Sequence, residues 1–165
     1  MSIFFRASYG NAGLSAKQIL NDPVLFLAFG FGSGLAKSMP GTFGSLAAIP
    51  LYLGLSQTPD WLYWLVTAAV VLIGIPICDQ AARKLQVHDY GGIVWDEIAG
   101  LLLTLSVVPF SWQSLAAGFM LFRLFDIIKP WPIGWLDRRV SGGLGIMLDD
   151  VAAGIFAALV LRILF

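Results

Sequence analysis

Five carboxylates sit at the ends of apolar stretches in this chain: Asp96 and Glu97, Asp126, and Asp149 and Asp150. A charge beside hydrocarbon is costly, so acids kept in such positions are candidates for binding or catalysis. Gathered together, they would repel one another and resist joint ionisation. A divalent cation relieves that repulsion, and carboxylate oxygens are the hard ligands that suit Mg²⁺. A zinc site is not expected, because His88 and Cys78 are the sole residues of their kinds.

A second group could bind an anion. Pro40-Gly41-Thr42-Phe43-Gly44-Ser45 shapes a turn, and Thr42 or Ser45 can cap the helix that follows. Free N–H groups at a helix start attract phosphate, although a capped membrane helix would show the same residues. Lys37, Arg123 and Lys129 are expected on the same side as this turn. Acids for a metal beside bases for an anion form the layout of metal-assisted phosphoryl chemistry. His88-Asp89 reads either as a general base pair or as a solvated surface pair.

Each acid also has a structural reading. Asp96-Glu97 and Asp149-Asp150 are expected to open helices, where the dipole and free N–H groups favour acids without any function. Asp126 is expected near a helix C-terminus, where the dipole disfavours an anion. Its alternatives are an ion pair with Arg123, three residues earlier, or a metal. Gly100 and Gly154 follow Asp96 and Asp150 by four residues, and small residues permit close helix approach in membranes.

The elements that position these groups follow from composition. The chain has 165 residues, of which 58% are hydrophobic and 12% charged, with a mean hydropathy of +0.83. Soluble domains carry about twice that share of charge. The expected fold is all-α: an integral membrane bundle of about five spanning helices with a short N-terminal interfacial or re-entrant helix over 24–36. The expected spans are 42–55, 61–78, 93–108, 112–128 and 151–165. Residues 1–22 read as a cytosolic arm without a cleavable signal, and 23–165 as one membrane domain.

Lys and Arg set the orientation. The loops at 56–60 and 109–111 contain none, whereas Lys37, Arg83, Lys84, Lys129, Arg138 and Arg139 fall on the opposite side. Arg162 is the exception and can snorkel outward. All five acids are then expected on the cytosolic face. Trp131, Trp135, Arg138 and Arg139 suit a lipid headgroup layer. The formal net charge is zero, so nucleic acid is not an expected partner.

Familiar nucleophiles are missing. Cys78 lacks the loop of a cysteine phosphatase, no D-x-D follows a strand, and one histidine cannot supply a histidine-nucleophile lipid phosphatase. Hydrolysis would then use metal-activated water, or an Asp nucleophile unlike the familiar loops. An alcohol phosphatidyltransferase also uses several Asp residues, but its D-G-x-x-A-R signature is absent. A cation transporter would need polar residues deeper in the spans.

Four ordered blocks carry a resemblance: GFGSGLAKSMPGTFGS (30–45), VHDYGGIVWDEIAG (87–100), FRLFDIIKPWPI (122–133) and GGLGIMLDDVAAG (142–154). Together they resemble the bacterial phosphatidylglycerophosphatase A family. The resemblance implies a Mg²⁺-dependent, multi-pass enzyme of the bacterial inner membrane. It implies phosphatidylglycerophosphate as the substrate and phosphatidylglycerol as the product. Asp96, Glu97, Asp126, Asp149 and Asp150 carry over as the acidic site; beyond the resemblance, two or more of these acids are expected to bind Mg²⁺, with Asp96 or Asp149 as the candidate base. Arg123, Lys129 and Thr42 carry over on the phosphate side, joined by Lys37 and Ser45 from the turn. Gly92 stands where the family leads one to expect a small polar residue.

Overall fold

A computed structural model of the chain describes residues 8–87 and 90–165. His88 and Asp89 lie outside the described residues. The architecture is helical apart from a two-residue antiparallel ladder, in which β1 (Ser8–Tyr9) pairs with β2 (Leu14–Ser15). Helices α1 (Ala16–Asn21) and α2 (Pro23–Ala28) follow. Asp22 starts α2 as expected of an Asp before Pro: its carboxylate accepts from the N–H groups of Val24 and Leu25, at 3.0 and 3.1 Å. The expected single helix over 24–36 is instead α2 and a 3₁₀ segment, Gly30–Leu35. Phe31 and Gly32 break it with positive φ.

Five longer or more buried helices make the body. They are α3 (Pro40–Leu55), α4 (Asp60–Leu85), α5 (Trp95–Leu105), α6 (Trp112–Ile128) and α8 (Gly142–Leu164). A short α7 (Ile133–Arg139) links the last two. α8 is the centre, with α4, α5, α6 and α7 packed around it, and α3 lies against α5. The core is apolar: Ile98, Leu101, Leu102, Phe122, Met147 and Leu161 are all buried.

The outer surface is apolar as well. Leu65, Leu72 and Ile73 on α4, Met120 and Ile127 on α6, and Leu159 and Ile163 on α8 are exposed. A helix that is apolar all round suits hydrocarbon better than water. Two helices, α4 and α8, are long and apolar enough to cross a membrane. The five expected spans have unequal lengths. α5 has 11 residues, about 16 Å of rise against a hydrocarbon core of about 30 Å.

Two boundaries differ from expectation. α4 runs on past Cys78 to Leu85, because Asp79 and Arg83 pair one turn apart at 2.9 Å and make a polar end that remains helical. α8 begins at Gly142 and not at Asp149. The apolar residues Ile146, Met147 and Leu148 extend its buried face toward the N-terminus, so the glycine-containing stretch is helix and not connector.

Candidate active site

The first turn of α5 carries Asp96 and Glu97, as expected. Two hydrogen bonds fix that turn. Val94 N–H donates to Ala28 O at 2.8 Å, and Trp95 Nε1 donates to Val70 O at 3.0 Å. These two carboxyl groups therefore sit at the positive end of a helix dipole. That end is recessed: Gly92, Ile93, Val94 and Trp95 are all buried.

Asp149 and Asp150 do not start a helix. They lie two turns inside α8 and are 6% and 3% exposed. Dipole and capping therefore do not account for them, and the structural reading made for this pair fails. α8 meets α5 through glycines. A Cβ on Gly154 would lie 2.6 Å from Gly100 O, and one on Gly100 would lie 2.9 Å from Asp150 O. Thr104 Oγ1 joins the same crossing, donating to Gly100 O at 2.9 Å and Gly154 O at 3.3 Å. This close approach brings the acids of the two helices together.

Asp96, Glu97 and Asp150 each offer a carboxylate oxygen, and the three oxygens lie within 4.8 Å of one another. Asp126, near the end of α6, comes within hydrogen-bonding reach of Asp150. Carboxylates this close cannot all be bare anions; a proton or a cation must lie among them. Glu97 Oε2, Asp149 Oδ1 and Asp150 Oδ2 are buried without a hydrogen-bond partner among the described residues. Buried polar atoms are ordinarily satisfied, so these oxygens have hydrogen-bonding capacity left for a proton, a water or an ion.

Arg123 lies beside the acids. Its Nη1 is 2.6 Å from Asp126 Oδ2 and 3.8 Å from Glu97 Oε1. Its Nε is buried without an acceptor, which leaves hydrogen-bonding capacity unspent. The start of α3 closes over this group. A Cβ on Gly41 would overlap Glu97 Oε1 and come within 3.0 Å of Arg123 Nη1. The spacing of Pro40-Gly41 at a helix start was visible in the sequence, but its close approach to an acid on α5 was not.

The remaining expected anion ligands are arranged differently. Ser45 is buried and its Oγ donates to Gly41 O at 2.9 Å, turned into its own helix. Thr42 is half-buried in the first turn of α3. Lys37 is exposed and pairs with no acid among the described residues. Lys129 caps α6 and holds two acids, Asp137 at 2.7 Å and Asp149 at 2.6 Å. Burial alone would pull its pKa down, but the hydrogen bonds and charges of those carboxylates outweigh this and hold it above that of an ordinary lysine. Asp137 was not among the expected site residues. Its one signal was a lone acid beside Arg138 and Arg139.

A family model described as phosphatidylglycerophosphatase A matches residues 26–165. The chain belongs to the phosphatidylglycerophosphatase A family. An Escherichia coli (strain K12) relative named phosphatidylglycerophosphatase A is 50% identical over 140 residues, covering 84% of this chain and 81% of that protein. A Haemophilus influenzae relative of the same name is 44% identical over 152 residues, covering 91% and 93%. A third, from Bacteroides thetaiotaomicron, is 39% identical over 155 residues, covering 86% and 92%; its name, a phosphatidylinositol-3-phosphatase, is provisional. No solved structure matches the chain. The relatives in this family are named for removing a phosphate from a phospholipid.

Proposed function

We propose that this chain hydrolyses the terminal phosphomonoester of phosphatidylglycerophosphate, giving phosphatidylglycerol and phosphate, with Mg²⁺ as cofactor. Family membership supports the reaction. The observation that carries the mechanism is the largely recessed group of Asp96, Glu97 and Asp150 with Arg123 beside it. Its donors are oxygen alone, and two of its carboxylates keep an unpartnered buried oxygen, which fits Mg²⁺.

In this reading Asp96, Glu97 and Asp150 hold the ion. Mg²⁺ held there supplies charge neutralisation on the phosphate and activation of water. Arg123 binds phosphate oxygens through Nε and its terminal nitrogens, the two-pronged contact for which a guanidinium is suited. Asp126 orients Arg123 from one turn away. Asp149 is the base: Lys129 occupies Oδ2, and the unpartnered Oδ1 takes the proton of the attacking water. The N-terminus of α3, with Thr42 in its first turn, lends N–H groups to the anion.

The membrane arrangement belongs to the same proposal. The body makes five passes in the bacterial inner membrane, with the acidic ends at the cytosolic face. α5 is the short, buried pass, so its acids lie below the membrane surface and not on it. The acyl chains remain in the bilayer while the phosphate enters from the side. The test is phosphate release by the purified protein from phosphatidylglycerophosphate, compared with water-soluble phosphomonoesters. Preferential release from the lipid is expected; equal or better turnover of the soluble esters contradicts the lipid assignment.

A further inference from the structure

Lys129 is the link between three elements. It ends α6 in the left-handed region, with φ 45 and ψ 56. Its ammonium is bound by Asp149 of α8 at 2.6 Å and by Asp137 of α7 at 2.7 Å. α7 is seated on the same residue by its backbone. Ile133 is fully buried, and a Cβ on Gly134 would lie 2.7 Å from Lys129 O. Asp137 is therefore brought to Lys129 by the packing of a whole helix and not by a loose surface contact. It is 34% exposed at its side chain, against 9% for Asp149.

An ammonium has three N–H donors. Two carboxylates on fixed helices take two of them, which sets the direction of the third. We infer that Asp137 is a positioning residue: by sharing Lys129 with Asp149, it aims the remaining N–H of Lys129 at the substrate phosphate. Asp137 itself touches no substrate. Without it, the ammonium keeps its bond to Asp149 but turns about its stem, so the third donor loses its direction. This inference rests on the phosphatase reading given above, and it assigns to α7 a role in holding substrate.

The test compares wild type, Asp137→Asn, Asp137→Glu and Gly134→Ala, with phosphatidylglycerophosphate in mixed micelles. If wild type releases no phosphate, the phosphatase reading fails, and this inference falls with it. With an active wild type, Asp137→Asn is expected to raise KM about tenfold, the equivalent of one charge-assisted hydrogen bond. Its kcat should stay within roughly twofold, since binding common to ground and transition states is what is lost. Asp137→Glu restores the carboxylate and should recover most of the KM. Gly134→Ala keeps every charge but pushes α7 off Lys129, and should raise KM in the same direction. A KM for Asp137→Asn equal to wild type overturns the inference. So does a lowered melting temperature with unchanged KM, the signature of a merely structural ion pair. If Asp137→Asn does not fold, an unchanged KM in Gly134→Ala overturns it instead.

Discussion

Arg123 Nη1 lies 2.6 Å from Asp126 Oδ2, one turn along the same helix. Asp126 has the dipole against it, yet the guanidinium supplies the countercharge that a metal would otherwise supply. The three-carboxylate group consists of Asp96, Glu97 and Asp150, with Asp126 at its border. The ion pair and the metal were the two readings open to Asp126. The geometry shows the ion pair, and Arg123 faces Asp126 and Glu97 together.

Asp126→Asn weakens the grip on Arg123 without removing a member of the three-acid group. Phosphate release should fall about 10–100-fold, as for changes that act through a neighbour of the metal ligands. Asp150→Asn should cost more, by at least about another tenfold. The check is the rate of phosphate release for both proteins, with melting temperature as a control for folding. Equal losses in the two variants contradict the ranking.

Gly41→Ala should damage the site from the opposite side. Its new methyl overlaps Glu97 and crowds Arg123. Overpacking of this kind costs about 1–3 kcal/mol. A lower melting temperature with reduced activity is expected, whereas Gly54→Ala, where a Cβ meets nothing, should leave both unchanged. Thermal unfolding in detergent measures the difference.

Gly154→Ala tests the α5–α8 crossing. Its methyl would meet the Gly100 backbone, which cannot move aside as a side chain can. A loss of about 1–3 kcal/mol is expected. Because the crossing carries Asp150 toward Asp96 and Glu97, the Mg²⁺ needed for half-maximal activity should rise as well. Stability lost with unchanged Mg²⁺ dependence would separate the crossing from the site.

Asp22 offers a test away from the chemistry. It caps α2 and also pairs with Lys84 at the end of α4. Burial pushes its pKa up, but the bonds from Lys84, Leu25 and Val24 outweigh this and leave it below the ordinary carboxylate value. A lowered folded-state pKa stabilises above the unfolded value and is lost as pH falls through the folded one. The contribution therefore begins to fall below about pH 4 and is lost as pH drops through the lower folded-state value. Asp22→Ala should cost about 1 kcal/mol at neutral pH through the lost cap. The gap from wild type should close in acid, as read by melting temperature against pH.

The sequence made some of this site legible and hid the rest for physical reasons. Asp96, Glu97 and Asp126 stood out because charge is rare in apolar runs, and each lies at the helix end expected of it. Asp149 and Asp150 stood out equally, but their helix begins seven residues earlier than expected. Three glycines between 142 and 145 read as a connector, since glycine disfavours an isolated helix. In a tightly packed bundle the missing side chains instead let backbones meet. Lys129 was visible as a base near the acids. Its two acidic partners, Asp137 of α7 and Asp149 of α8, are brought to it by the packing of those helices, which no spacing along the chain encodes. The short α5 was hidden by its apolar flanks, which continue the hydrophobic run beyond the helix.

The most direct measurement is a Mg²⁺ titration of phosphate release from phosphatidylglycerophosphate, starting from chelated protein, in wild type, Glu97→Gln and Asp150→Asn. Wild type should be silent in chelator and recover saturably with Mg²⁺. The two variants should require at least about tenfold more Mg²⁺, or fail to recover, as expected when a ligand is removed. A wild type that turns over equally in chelator contradicts the account, and so do variants that saturate at the wild-type Mg²⁺ concentration.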